Sequence, residues 1–322
     1  MDAVTFRDIL LAQCRLKPHL ATTPFRNYGV LDQELGHGLK VWVKHENHLP
    51  TNSFKVRNGL SVLTLLSAEA RARGVVAATR GNHGLGLAHA GKAFGVPVVI
   101  CVPRGNNPEK NEAMKALGAE LIEDGADYDE AIKIADRLVS ERNLTLVHST
   151  NNREVIAGAG TFSLEMLQEQ PELDALVLAV GGGSQVAGAV TVAASLSPKI
   201  EIYGVQAARA SATHDSWHAG EPRTTATADT IADGLATRSC YEMTFPTMQK
   251  GLKGFVTVEE DEIGAAMRRL LRTTHNIAEG AGAAGLAGLS KLAPQLAGKR
   301  VGIAISGGNL DADSLRWAWS CK

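Results

Sequence analysis

An α/β fold with two open, mainly parallel sheets is what this 322-residue chain predicts, and three observations carry the prediction. Short apolar runs such as Val75-Val76-Ala77-Ala78 and Ile303-Ala304-Ile305 alternate with longer amphipathic stretches, the pattern of buried parallel strands covered by helices. Three of these runs end in turns built from small and polar residues. The chain is also long enough for two domains around separate cores.

Taken in order, residues 4–19 have the spacing of an amphipathic helix, Thr23-Pro24 opens an irregular link, and residues 39–44 alternate as a strand. The polar loop Leu49-Pro50-Thr51-Asn52 then gives way to a helical pattern in which Leu60, Val62, Leu63, Leu65 and Leu66 run on towards Arg71, with Ser53 or Asn52 as its cap. Strands are expected at 75–78, 98–102 and 119–122, and helices at 81–94, 107–117 and 127–138, with residues 144–148 closing the run. The alternation resumes with helix 154–169, strand 175–180, helix 185–195 and strand 200–205. Residues 207–251 show little periodicity and read as a long ordered excursion. Strand 254–258, helices 260–274 and 279–292, and strand 300–305 complete the chain, which leaves no room for an appended regulatory domain.

Composition narrows the function. Hydrophobic content of 44% and charged content of 21% are those of a globular protein. A net charge of -1 and a pI near 6.8 give no reason to expect nucleic acid or an anionic membrane as partner. No apolar run has the length of a membrane span, and the early acids of Met1-Asp2-Ala3-Val4-Thr5-Phe6-Arg7-Asp8 do not suit a signal peptide. Cys14, Cys101, Cys240 and Cys321 are scattered, without metal-like spacing, as expected of reduced thiols in a cytoplasm. His45-Glu46-Asn47-His48 lacks the spacing of a helical zinc site and reads as loop polarity.

Four stretches carry chemistry. In Ser53-Phe54-Lys55-Val56-Arg57 a lysine falls in the first helical turn, where the helix dipole disfavours a cation. Such a lysine either points at solvent or is held less basic than usual, and a less basic lysine suits a Schiff base with an aldehyde. In Val180-Gly181-Gly182-Gly183-Ser184-Gln185, bare backbone at a helix start offers N–H groups to a phosphate whose parent molecule stays open, a dinucleotide included. In Thr79-Arg80-Gly81-Asn82-His83-Gly84 the same arrangement suits a carboxylate or is an ordinary capped turn. In Ser306-Gly307-Gly308-Asn309 the serine lies where the last buried strand emerges, facing the crevice at the carboxyl ends of the strands.

In this order and spacing, S-F-K-x-R, x-G-N-H-G, G-G-G-x-x-x-A-G and S-G-G-N resemble the fold-type II pyridoxal-phosphate enzymes, whose fold is like that of the tryptophan synthase β chain. The nearest look is that of the serine/threonine dehydratases and serine racemases. The similarity runs from about Thr23 to Asn309 and includes Val155-Ile156-Ala157-Gly158-Ala159-Gly160-Thr161 and Ala232-Asp233-Gly234. The resemblance implies pyridoxal 5'-phosphate in a Schiff base with Lys55, with Phe54 beside its ring. Gly181, Gly182, Gly183 and Ser184, with Gln185 adjoining, would hold the phosphate; Asn82 would bond the ring hydroxyl oxygen and Ser306 would face the pyridine nitrogen. Residues 79–83, among them Thr79, Arg80, Gly81 and His83, would seat an amino-acid carboxylate, and Glu279 would line the same pocket. It further implies a large domain of residues 1–70 and 152–322, a small inserted domain of residues 71–151, and a homodimer in the cytoplasm.

The expected reaction is dehydration of a β-hydroxy amino acid to a 2-oxo acid and ammonia, with Lys55 as the base at Cα. Departures from the family pattern refine it. Arg80 stands where serine racemases place the serine that serves as acid and base on the opposite face, and a permanently charged guanidinium is a poor proton shuttle. That favours elimination over racemisation; Arg80 then binds a carboxylate, fixes a substrate side chain or makes a surface ion pair. Gln206 stands where metal-activated relatives carry a glutamate, so no metal is expected. The unusual loop 148–153, with Arg80, makes a bulkier or acidic β-hydroxy amino acid plausible beside threonine and serine. The alternatives are a racemase or β-replacement enzyme of the same fold, a nicotinamide-dependent oxidoreductase using the Gly181 turn with Glu201, or a non-catalytic cofactor-binding module.

Overall fold

The computed structural model describes residues 3–126 and 128–320, apart from the side chain of residue 129. Cys321, the first two residues of the N-terminal stretch and the expected helix start at Asp127 lie outside the described residues. Among the described residues ten strands form two sheets. They are β1 (Phe25–Asn27), β2 (Lys40–His45), β3 (Val75–Ala78), β4 (Val98–Val102), β5 (Glu120–Glu123), β6 (Thr145–Leu146), β7 (Ala175–Ala179), β8 (Glu201–Ala207), β9 (Gly254–Val258) and β10 (Arg300–Ile305). The larger sheet has the order β1-β2-β10-β7-β8-β9, parallel except for β1 at one edge. The smaller, β5-β4-β3-β6, is parallel throughout.

Both sheets are covered on both faces, which is why their strands read as continuous apolar runs. Successive residues of β7 feed opposite cores: Val177 joins one cluster with Val41, Val205 and Leu286, while Leu176 and Leu178 join another with Phe162 and Ile202. In the small sheet Val75 and Ala77 face one cluster, Val76 and Ala78 the other.

The helix Lys55–Leu63 links the two sheets. Its Val56, Leu60 and Leu63 enter the core of the small sheet, and its backbone lies directly on the helix Asn82–Phe94. A Cβ at Gly59 would stand 2.4 Å from the carbonyl oxygen of Gly86, and one at Gly86 would stand 2.4 Å from that of Lys55. Only glycines permit this approach, and it brings Lys55 beside the turn that precedes Asn82. The other end of the lysine segment is tied to the large sheet, where Phe54 N–H donates to the Ser306 carbonyl at 3.0 Å and Ser53 bridges to Gly307.

Several expectations are corrected. The Lys55 helix stops at Leu63, and Ser67 caps a separate helix, Ala68–Arg73, by accepting from Ala70 N–H at 3.2 Å. Asn52 does not cap the Lys55 helix: it sits at φ 52° with its amide donated to Asn309 at 3.2 Å, while Ser53 Oγ accepts from Lys55 N–H at 3.1 Å. The link after Pro24 holds β1 and the helix Gly29–Leu35, both too short for periodicity to register. The excursion contains the helices Ala212–Ala219 and Phe245–Gly251, and a further helix, Ala312–Ser320, follows the last strand. Nor is the stretch His45 to His48 mere loop polarity. Glu46 is fully buried and paired with the buried Arg57 at 2.7 Å, which also meets Glu165 at 2.6 Å; Lys44 completes the network at 2.6 Å from Glu165. Among the described residues no helix is long and apolar enough to cross a membrane.

Candidate active site

The carboxyl ends of β3, β7 and β10 face one cleft, and the lysine helix closes its floor. The space between its walls, including what is open to solvent, is about 960 Å³. Every residue expected to hold cofactor or substrate, from Phe54 and Lys55 through residues 79–83 and 181–185 to Glu279 and Ser306, lines it.

Lys55 is half-buried, its ammonium 4.8 Å from the centre of the Phe54 ring. Phe54 is itself held edge-on to Phe162 at 5.9 Å. Burial pushes the lysine down to about 8, against the pull of the Glu279 carboxylate. Of the two fates open to a first-turn lysine, this burial favours the second.

The turn after β7 is a backbone cradle. Gly183 has φ 91°, a conformation that side chains disfavour, and a Cβ at Gly182 would lie 1.9 Å from Thr150 Oγ1. Thr244 pins the turn by donating its hydroxyl to the Gly182 carbonyl at 2.7 Å. The helix Ser184–Leu196 starts here with its first intrahelical bond from Ala187 to Gly183, so the N–H groups of Ser184, Gln185 and Val186 have no intrahelical acceptor. The Gln185 carboxamide turns back to donate to the Ala179 carbonyl, so its backbone rather than its side chain serves the cradle; its Oε1 stays buried without a partner.

The turn after β3 is a second cradle. Gly81 N–H donates to Thr79 Oγ1 at 3.0 Å, which leaves the hydroxyl proton of Thr79 free. The first bond of the helix Asn82–Phe94 runs from Leu85 to Gly81, leaving the N–H groups of Asn82, His83 and Gly84 open. His83 is pushed down to about 3, chiefly by burial, and is therefore neutral. Its Nε2 lies 3.0 Å from the Val147 carbonyl, an acceptor, so the proton is on Nε2 and the buried, unpartnered Nδ1 is a bare acceptor.

Asn82 spans the cleft towards Glu279. Its amide donates to Glu279 Oε1 at 2.5 Å and accepts from Asn309 at 2.7 Å, which leaves one of its N–H groups uncommitted. Burial raises the Glu279 carboxyl to about 7, although Lys110 and the Asn82 amide favour its charged form. Ser306 Oγ, also buried, makes one long bond of 3.4 Å to the Ala281 carbonyl. Sequence reasoning missed Lys110, which faces Glu279 and pairs with Asp233 at 3.0 Å, along with Tyr128 and Tyr241 on the outer wall. Lys110 lies on an exposed-looking helix and gives no local signal. The loop 148–153 reaches the cleft through Ser149 and Thr150, while His148 packs edge-on to Tyr241 at 5.5 Å.

A model of a family described as "Pyridoxal-phosphate dependent enzyme" matches residues 16–307. The chain belongs to that family. It is 36% identical to an L-threonine ammonia-lyase of Thermotoga maritima over 97% of this chain and 77% of that one. It is 36% identical to a biosynthetic L-threonine dehydratase of Haemophilus influenzae over 92% of this chain, but spans only 58% of that protein's length. The structure of maize serine racemase superposes with a TM-score of 0.93, covering 99% of this chain and 97% of that one at 29% identity. Membership makes this a pyridoxal-phosphate-dependent protein and ends the nicotinamide reading of the Gly181 turn. The residues present fit the cofactor: a lysine held less basic for its aldehyde, a side-chain-free cradle for its phosphate, and a hydroxyl in place of a carboxylate near its ring.

Proposed function

We propose that this pyridoxal-phosphate-dependent protein is a dehydratase, converting a β-hydroxy amino acid to the 2-oxo acid and ammonia. The observation that carries the reading is Lys55, held less basic at the floor of a cleft that has an anion cradle at each of two helix starts. In this reading Gly181, Gly182, Gly183 and Ser184 hold the cofactor phosphate, with Gln185 adding its N–H; Phe54 flanks the ring, and Asn82 and Ser306 meet its polar edge. When bound, pyridoxal phosphate supplies an electron sink that acidifies the Cα–H of the amino acid condensed with it.

The chain's own groups do the rest. Thr79 and the open N–H groups of Asn82, His83 and Gly84 hold the α-carboxylate. The amine of Lys55, once released, removes the Cα proton. The β-hydroxyl departs as water, and hydrolysis of the resulting enamine gives the 2-oxo acid and ammonia. Glu279, raised to about 7 and bonded to Asn82, can hold or release a proton near neutrality beside this chemistry. Ser306 is neutral, so it does not fix a positive charge beside the ring as a carboxylate would. Racemisation, the activity in the printed name of the maize relative, needs a proton donor on the face opposite Lys55. Arg80 stands where that donor would be, and its guanidinium does not give up a proton.

The same reading assigns residues 71–151, which carry the carboxylate turn, to a small domain against residues 1–70 and 152–322, and takes the protein as a cytoplasmic homodimer. The test is Lys55→Ala with L-serine and L-threonine, following 2-oxo acid formation. A loss of at least about 10³-fold is expected of a missing general base; retained turnover would remove Lys55 from that role.

A further inference from the structure

The geometry points to a side-chain subsite that recognises a second carboxylate on the substrate, with Arg80 as the specificity-determining residue. The inference rests on the dehydratase reading above and names its substrate class: β-hydroxy amino acids that are also dicarboxylic.

The reacting cleft opens outward into a second cavity, walled by the segments 224–230 and 236–239. Arg80, Tyr128, Asp233, Ala236, Thr237 and Tyr241 line both spaces and mark the passage between them. Three features of this outer chamber suit an anion. The first is Arg80 itself. Arg80 is exposed at the passage and makes no hydrogen bond or ion pair among the described residues.

The second feature is the balance of charge. The described carboxylates on the chamber wall, Asp229 and Asp233, are each engaged by a cation from elsewhere: Asp229 by Arg209, and Asp233 by Lys110 at 3.0 Å. Their charges are neutralised locally, whereas Arg80 has no ion pair among the described residues; a second arginine, Arg238, also stands on this wall. The third is the remaining lining, which is rich in hydroxyls from Thr224, Thr227, Thr237 and Ser239. Burial holds the Tyr128 and Tyr241 phenols protonated, so that both remain donors.

The α-carboxylate does not need this arginine. It has the Thr79 hydroxyl and three open N–H groups deeper in the cleft. A guanidinium one residue before that cradle, at the passage, meets the far end of the substrate instead. Its planar fork matches a carboxylate through two parallel N–H···O bonds. The methyl of threonine or the hydrogen of serine leaves it unpaired.

The experiment uses the cofactor-loaded protein with Arg80→Gln and Arg80→Lys. One arm compares kcat/KM for L-serine with that for the two L-3-hydroxyaspartate diastereomers. The other measures calorimetric binding of L-aspartate against L-2-aminobutyrate, neither of which carries a β-hydroxyl to lose. One diastereomer and L-aspartate are expected to be preferred by about 30-fold, the scale of one charge-assisted pair. Arg80→Gln abolishes the preference in both arms and Arg80→Lys retains part of it. Turnover of serine with no dicarboxylate preference, or a preference that survives Arg80→Gln, overturns the subsite and leaves the dehydratase reading standing. Preferred binding of L-aspartate without consumption of any β-hydroxy amino acid does the reverse.

Discussion

At the scale of single residues, burial sets the protonation states of the site. Lys55 falls to about 8 and Glu279 rises to about 7, each moved towards neutrality by loss of water, and their mutual attraction only moderates the effect. The two groups couple to stability with opposite slopes. Glu279 binds its proton more tightly when folded than the usual 4.5, so its contribution is full below about 4.5 and is lost as pH rises through 7. Lys55 binds its proton less tightly when folded, so stability is regained as pH rises from about 8 towards 10.5. Replacing Glu279 with Gln therefore flattens the loss of stability between pH 5 and pH 7. The difference is at most about 3 kcal/mol, read by urea denaturation at the two pH values. A difference between wild type and variant that does not change with pH would remove Glu279 from this role. At Gly182, a methyl group would enter the space of Thr150 Oγ1. Gly182→Ala is expected to cost about 1–3 kcal/mol and to weaken cofactor binding, measured as cofactor retained after dialysis.

At the scale of elements, the site depends on how two loops are held between sheets. The Arg57 guanidinium joins Glu46, just after β2, to Glu165 in the helix Arg153–Glu169, and so fixes the lysine helix from behind. Removing one partner of such a buried network strands the others. Glu165→Gln is expected to cost about 3–5 kcal/mol, seen as a lowered denaturation midpoint. An unchanged midpoint would mean that the network contributes specificity rather than stability. The strand–turn–helix units were legible in the sequence because each is local: β3, β4, β9 and β10 begin and end at the expected residues. Elements without a period escaped. The three residues of β1 gain their conformation from pairing with β2, and the helix Phe245–Gly251 from burying Phe245 and packing Met248 against Gly183 in the turn after β7.

At the scale of the molecule, four short motifs spread over residues 53–309 converge on one cleft because parallel strands all present their carboxyl ends to it. That convergence was inferred from the sequence by likeness to a family, and it is observed here as geometry. Charge relations between distant segments were not legible. Lys110 reaching Glu279 and Asp233, or Arg80 standing between two cavities without an ion pair among the described residues, depends on side chains far apart in the chain. The outer chamber is made largely by the aperiodic segment 224–239, so neither its shape nor its charge balance left a pattern to find.

The central claim is that Lys55 anchors pyridoxal phosphate in this cleft, and one measurement addresses it directly. The purified protein, loaded with pyridoxal phosphate, is scanned in the near-ultraviolet and visible before and after borohydride, then digested and weighed by mass spectrometry. The account predicts a visible band that reduction abolishes, with the cofactor's mass left on the peptide that contains Lys55 and absent from Lys55→Ala. Cofactor mass on a peptide holding a different lysine, or no trapped mass from a fully loaded sample, would contradict it.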